Sequence, residues 1–189
     1  MVVYYVLLLA VGFERIAELV VAKRNAAWSM ARGGVEYGRG HYPVMVVLHT
    51  ALLAACLIEP IVGHRTFDPA LGWTMIALVL AAQGLRWWCI ATLGPRWNTR
   101  VIVVPDLPLI RSGPYKYWHH PNYVAVVVEG AALPLAGSAW ITAAAFTCLN
   151  AALLTVRLRC ETRALSMVPD RSESGSPIQT PSPSTSPST

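Results

Sequence analysis

The chain has 189 residues, of which 54% are hydrophobic and only 13% charged, with a formal net charge of +5 at pH 7. That balance leaves too much apolar surface for an ordinary soluble domain and calls for a polytopic membrane protein. The positive charge lies in short segments between apolar runs, which suits loops facing anionic lipid and excludes a nucleic-acid surface, for which no soluble basic domain exists.

In chain order, five stretches approach the ~20 apolar residues that cross a bilayer as helix: Met1 to Ala22, Pro43 to Val62, Leu71 to Leu93, Tyr123 to Ala136 and Ala139 to Val156. The predicted fold class is therefore all-α, a bundle of about five transmembrane spans. The last two form a helical hairpin turning at Gly137-Ser138. The first run carries Glu14, Arg15 and Glu18 where a cleaved signal would need small residues, so it is expected to stay as a helix. Spacing i, i+4 puts Glu14 and Glu18 on one face beside Arg15, which points to an internal salt bridge. Arg86 and Glu129 either pair likewise, or Glu129 faces a ligand cavity.

Basic residues gather after the first run (Lys23, Arg24, Arg32, Arg39), between the third and fourth (Arg96, Arg100, Arg111, Lys116) and after the fifth (Arg157, Arg159, Arg163, Arg171), whereas the second turn holds only Arg65. By the positive-inside rule the N-terminus lies outside and the C-terminus in the cytoplasm. Residues 172–189 are almost wholly Ser, Thr and Pro and read as a disordered tail on a membrane domain spanning 1–171. The four cysteines are widely spaced and read as small buried hydrophobes.

The chemistry concentrates in Arg111-Ser112-Gly113-Pro114-Tyr115-Lys116-Tyr117-Trp118-His119-His120-Pro121-Asn122-Tyr123. Two X-Pro steps oppose a continuous helix, so imidazoles and aromatic rings line a loop running into a helix near Asn122. Downstream, Arg157 and Glu161 lie four apart and share one helix face. Neither H-x-x-x-H nor H-E-x-x-H occurs, so no metal site is expected. No Gly-rich phosphate cradle follows a strand, and a Rossmann-type nucleotide domain is excluded. A cofactor must bind within the helical membrane domain.

Gly113-Pro114-Tyr115, His120-Pro121-Asn122-Tyr123, a two-span hairpin, and Arg157-x-x-x-Glu161 with Leu165 together resemble the isoprenylcysteine carboxyl methyltransferase family of integral membrane methyltransferases over Trp97 to Leu165. Two positions depart from that family's pattern: His119 replaces an Arg, and Thr162 replaces the second Glu of a pair. The resemblance implies that Tyr115, His120, Pro121, Asn122, Tyr123 and Glu161, with the backbone of Leu107, Pro108, Leu109 and Ile110, hold S-adenosylmethionine, and that Arg157 faces a lipophilic acceptor.

Upstream, Arg15-Ile16-Ala17-Glu18-Leu19 and Gly34-Val35-Glu36 leading to Gly40-His41-Tyr42-Pro43 are similar to bacterial members associated with polyketide synthases. The expected reaction is thus O-methylation of a long-chain alkylpyrone or alkylresorcinol hydroxyl in a bacterial plasma membrane, with prenylcysteine as the alternative acceptor. A resorcinol, with a phenol-like pKa near 10, needs a general base, and His119 is the candidate. Two other classes stay open: an NADPH-dependent membrane sterol or ene reductase, and a non-catalytic membrane module. Membrane lipids are the remaining partner, and the oligomeric state is not specified.

Overall fold

The computed structural model describes residues 1–105 and 107–166. Five helices, α1 (Val2–Met30), α2 (His41–Val62), α3 (Pro69–Leu93), α4 (Pro121–Ala136) and α5 (Trp140–Ser166), run up and down through one bundle. A two-stranded antiparallel ribbon, β1 (Val35–Tyr37) with β2 (Val101–Val103), ties the α1–α2 and α3–α4 connections together, pairing Val35 with Val103 and Tyr37 with Val101. The all-α expectation holds for the membrane part, and the ribbon is an addition. Three residues per strand at a polar bundle end leave too short an alternation to announce a strand.

Among the described residues, three helices are long and apolar enough to cross a membrane: His41–Val62, Pro69–Arg96 and Trp140–Ala164. The expectation of about five spans is corrected to that extent. Helix α1 is longer, yet Glu14, Arg15 and Glu18 interrupt its apolar run. Helix α4 has 16 residues, a rise of about 24 Å, short of the ~30 Å hydrocarbon core. The C-terminal pair turns where expected: Gly137 caps α4 and Ser138, at φ 57°, donates its hydroxyl to the Thr66 carbonyl in the α2–α3 turn at 3.0 Å.

Helix ends follow local chemistry more than hydropathy. The charges at Lys23 and Arg24 end the apolar run of α1 without ending its helix, which continues to Met30 before Gly33-Gly34. Likewise α5 runs past Val156 to Ser166, so Arg157 and Glu161 stand on continuous helix. Helix α3 starts at Asp68, whose Oδ1 accepts from the backbone N–H groups of Ala70 at 2.9 Å and Leu71 at 3.2 Å, with Pro69 at the first position. Helix α5 is capped from another helix: the Glu59 carboxylate of α2 accepts from the N–H of Ile141 at 3.1 Å and from the N–H and hydroxyl of Thr142, both at 2.7 Å.

The main core gathers Tyr4, Leu8 and Val11 of α1, Leu52 and Cys56 of α2, Ile76 and Val79 of α3, Leu133 of α4 and Phe146 of α5. It fills the end of the bundle holding the α2–α3 and α4–α5 turns, where the Tyr4 hydroxyl donates to the Cys56 carbonyl at 2.9 Å. Gly130 lets α4 approach α5, because a Cβ there would run into the Phe146 ring. Cys56 and Cys89 are buried as expected of small hydrophobes, whereas Cys148 is exposed and Cys160 intermediate; all four are free thiols. The proposed tail at 172–189 lies outside the described residues.

Candidate functional site

The opposite end of the bundle holds the polar residues. Pro121 at the first position of α4 forces His120 out of helical geometry, to φ −132° and ψ 59°, so the helix starts one residue before the expected Asn122 and sets Asn122 and Tyr123 in its first turn. Upstream, Gly113 at φ 57° opens a single 3₁₀ turn over Gly113–Lys116. Only glycine fits there, since a Cβ would come within 2.5 Å of Thr92 Oγ1 on α3. That turn delivers Tyr115 to the site, where burial holds its hydroxyl above the usual phenol range and so as a donor.

Tyr123, His120 and Glu161 form one unit. The Tyr123 hydroxyl donates to Glu161 Oε2 at 2.6 Å, His120 Nδ1 lies 3.6 Å from Glu161 Oε1, and the two rings stack with centroids 5.6 Å apart. The adjacent Glu161 carboxylate raises the His120 pKa above its ordinary value, partly offset by burial. One turn back on α5, the Arg157 guanidinium sits 5.9 Å from the Tyr123 ring centroid. It donates to the Thr99 carbonyl at 2.8 Å and to the Met45 thioether at 2.9 Å. Arg157 is 6% exposed and makes no ion pair among the described residues.

Two adjoining cavities of similar size, about 150 and 130 Å³, meet at this point. The first is the more polar of the two and is lined by Tyr115, His119, His120, Glu161, Arg96 and Arg100 among others. The second runs between α1, α2, α4 and α5 and is lined by Leu19, Val46, Leu53, Val126, Leu153 and Leu154, with a polar floor. Trp97, Asn98, Asn122, Tyr123 and Arg157 line both and form the wall between them. Three atoms of that wall, Trp97 Nε1, Asn98 Nδ2 and Asn122 Oδ1, are buried without a hydrogen-bond partner. Buried polar atoms are rarely left unpaired, so these three are free to meet a ligand or an ordered water.

The structure thus brings Tyr115, His119, His120, Asn122, Tyr123, Arg157 and Glu161 to one chamber. Pro121 is buried beneath them, and its part is to start the helix. Leu107, Pro108, Leu109 and Ile110 lie outside the lining of both cavities, in the connection from β2, where the Pro108 carbonyl accepts from Arg96 Nη1 at 2.6 Å. His119 lines the polar chamber alone and is absent from the wall. Sequence reasoning missed Met45, Trp97, Asn98 and Thr99. Trp97-Asn98-Thr99 follow the 3₁₀ turn at Gly94–Arg96, held by Asn25 of α1, whose side-chain N–H groups donate to the carbonyls of Gly94 at 3.1 Å and Trp97 at 2.7 Å. The lone Asn25 beyond Lys23 and Arg24 was the available signal.

Below the wall, α1, α3 and α4 share a buried ion-pair cluster. Arg15 contacts Glu18 at 2.6 Å and Glu129 at 3.0 Å; Arg86 contacts Glu129 and lies 3.4 Å from Glu18. Of the two alternatives for Glu129, pairing with Arg86 is the one found. Glu14 leaves Arg15 to accept from Gln83 and Trp87. Among the described residues no group of three or more His, Cys, Asp or Glu side chains is placed to hold a metal ion.

A family model, the isoprenylcysteine carboxyl methyltransferase (ICMT) family, matches residues 75–167, which contain every expected site residue. The chain is 35% identical over 163 residues, 86% of its length and 96% of the relative's, to the uncharacterized protein YpbQ of Bacillus subtilis. It is 26% identical over 153 residues, 80% of its length and 88% of the relative's, to an uncharacterized protein of Haemophilus influenzae. No solved structure matches it. The matched family is one of carboxyl methyltransferases, and no match supports a polyketide-associated enzyme. The expectation of an alkylpyrone or alkylresorcinol hydroxyl as acceptor is accordingly corrected. This is an integral membrane protein with bacterial relatives, and it belongs to the isoprenylcysteine carboxyl methyltransferase family.

Proposed function

We propose that the protein is an S-adenosylmethionine-dependent carboxyl methyltransferase that esterifies the carboxylate of a lipophilic acceptor. The observation that carries this reading is Arg157: a buried guanidinium without a carboxylate partner, on the wall between a polar and a largely apolar chamber. A buried charge held, among the described residues, by a carbonyl, a thioether and the Tyr123 ring, with no ion pair, is costly until an anion arrives. An incoming carboxylate supplies that anion in the fork geometry that a guanidinium suits.

The polar chamber fits the cofactor. Glu161 and the unpartnered Asn122 Oδ1 are acceptors for ammonium and ribose hydroxyl groups, the His120 and Tyr123 rings offer a stacking face, and Tyr115 donates. We assign the outer edge of that site to the Leu107–Ile110 backbone, joined to it through Arg96. When bound, the cofactor supplies an electrophilic methyl group on a sulfonium.

The protein's part is orientation. Arg157 holds one carboxylate oxygen toward the shared wall so that attack is in line, and the surrounding apolar walls exclude water. A carboxylate is already ionised at neutral pH, so no general base is needed, and His119 is assigned to the rim of the cofactor chamber. The ester formed is neutral and loses its hold on Arg157, which favours release. The bundle end carrying these residues is assigned to the cytoplasm because the basic loops cluster there, with the N-terminus outside.

Titration of detergent-purified protein with S-adenosylmethionine and, separately, with NADPH tests the class. Binding of the first alone, with methyl transfer to S-farnesylcysteine analogues or fatty acids, supports the proposal. Binding of NADPH alone supports a reductase, and binding of neither a non-catalytic module.

A further inference from the structure

The largely apolar chamber is not apolar throughout. Its far end is lined by His49, Asn150, Arg15, Glu18 and Arg86. Asn150 precedes Arg157 by seven residues on α5, which places this layer roughly 10 Å deeper along the bundle, at 1.5 Å per residue. A prenyl or alkyl tail filling the chamber would lay hydrocarbon against these groups.

The charged members balance one another in charge, although Arg15 Nε, Glu18 Oε1 and Arg86 Nε are left without a hydrogen bond. Arg15 and Arg86 are matched by Glu18 and Glu129, so a further charge would find no counterion. Asn150 and His49 are different. Asn150 is 3% exposed, and its Oδ1 is buried without a partner. His49 Nδ1 lies 2.9 Å from the Met45 carbonyl. A carbonyl only accepts, so Nδ1 carries the proton, and in the neutral ring Nε2 is left as an acceptor without a hydrogen bond among the described residues. The His49 ring packs edge-on against Phe146, one turn before Asn150, which brings both groups to one side of the chamber. The buried Asn150 amide and the half-buried His49 Nε2, neither with a hydrogen bond among the described residues, leave room for a hydrogen-bonding partner inside a membrane bundle, and intramembrane polar groups of this kind mark ligand sites.

We infer that Asn150 and His49 form a second polar subsite, which receives an uncharged hydrogen-bonding group, a hydroxyl or an amide, carried on the acceptor's chain roughly 10 Å from its carboxylate. This rests on the proposed carboxyl methyl transfer and narrows its substrate class. The acceptor is an amphiphile with two polar points, and an unsubstituted hydrocarbon tail is the poorer ligand. Sites built to hydrogen-bond a substrate group discriminate strongly against analogues lacking it, because their own buried groups are then left unpaired.

The test compares two probes, octadecanoate and a mid-chain hydroxyoctadecanoate with its hydroxyl at that distance. Their binding is measured by calorimetry on full-length protein saturated with S-adenosylhomocysteine, and their methylation separately. We expect the wild type to bind the hydroxylated chain about tenfold or more tightly than the plain one. In Asn150→Leu the preference should collapse to within about twofold, while S-adenosylhomocysteine affinity, which reports folding, stays at the wild-type value. Equal affinities in the wild type, or no binding of either chain, overturns the subsite without reference to any variant. A preference retained in a folded Asn150→Leu overturns the assignment to Asn150. Preferential binding without methyl transfer keeps the subsite and rejects the carboxyl methyltransferase reading, whereas efficient methylation of both chains with equal affinity does the reverse.

Discussion

Replacing Arg157 by methionine separates a functional guanidinium from a structural one. In the resting protein the side chain makes one charge-assisted bond, to the Thr99 carbonyl at 2.8 Å, and a weak one to the Met45 sulfur. Losing the first costs about 1.5–3 kcal/mol. Removing an unpaired buried charge returns several kcal/mol of desolvation. The two nearly cancel, so Arg157→Met should melt in detergent within a few degrees of the wild type or above it. Catalysis has no such compensation. The acceptor carboxylate loses its cationic partner at the moment of transfer, and kcat/KM should fall about a hundredfold or more, close to 3 kcal/mol. Arg157→Lys should recover part of the loss, because an ammonium keeps the charge but not the planar fork. S-adenosylmethionine affinity, read by calorimetry, should stay within about threefold, since Glu161 and His120 remain. A strongly destabilised Arg157→Met, or one with full methyl-transfer activity, would refute this placement of Arg157.

Further outcomes follow from the same geometry. His120→Ala and Glu161→Ala should each weaken S-adenosylmethionine binding by tenfold or more, about 1.4 kcal/mol, while truncation after Asp170 leaves it intact; unchanged calorimetric affinity in both point variants rejects the cofactor assignment. Glu161 favours the protonated form of His120, so its folded pKa lies above the ordinary ~6.5. The contact's contribution to stability is then fully present below that value and fades as pH rises through the folded pKa. An NMR titration of His120 should show the raised midpoint, and Glu161→Gln should lower it. Glu129→Ala removes a carboxylate facing both Arg15 and Arg86 and should destabilise the bundle by about 3–5 kcal/mol in thermal or denaturant unfolding, which an unchanged transition would contradict. A reporter fused after Pro169 should lie in the cytoplasm and one inserted at His64 outside; the reverse pattern rejects the proposed orientation.

Much of the site was legible because its residues announce themselves locally. Gly113-Pro114 and His120-Pro121 constrain their own backbones, and Arg157 with Glu161 needed only helical spacing to be put together. Part of the wall was not legible: Trp97 and Asn98, with Met45 and Thr99 beside them, come from the α3–α4 connection and α2, and only packing makes them neighbours of the expected Asn122, Tyr123 and Arg157. Apolar runs located the helices but placed the ends of α1 and α5 eight and ten residues short, since Lys23 and Arg157 stop a hydropathy run without stopping a helix. The ion-pair cluster shows the same limit. Spacing joined Arg15 to Glu18, whereas the approach of Glu129 from α4 and the handing of Glu14 to Gln83 and Trp87 depend on three helices meeting. The acceptor was misjudged for a different reason: the N-terminal half carries resemblance without touching the reacting groups, while the matched segment at 75–167 contains them.

The bond made at Arg157 distinguishes carboxyl methyl transfer from transfer to any other atom. Membranes containing the protein are incubated with S-adenosylmethionine labelled in its methyl group, the lipid product is extracted, and the extract is treated with mild alkali. A carboxyl methyl ester hydrolyses and releases the label as volatile methanol, and this is the predicted result, abolished in Arg157→Met. Label that stays in the lipid through alkali would mark an ether or a carbon–methyl bond and would contradict carboxyl methyl transfer at this site.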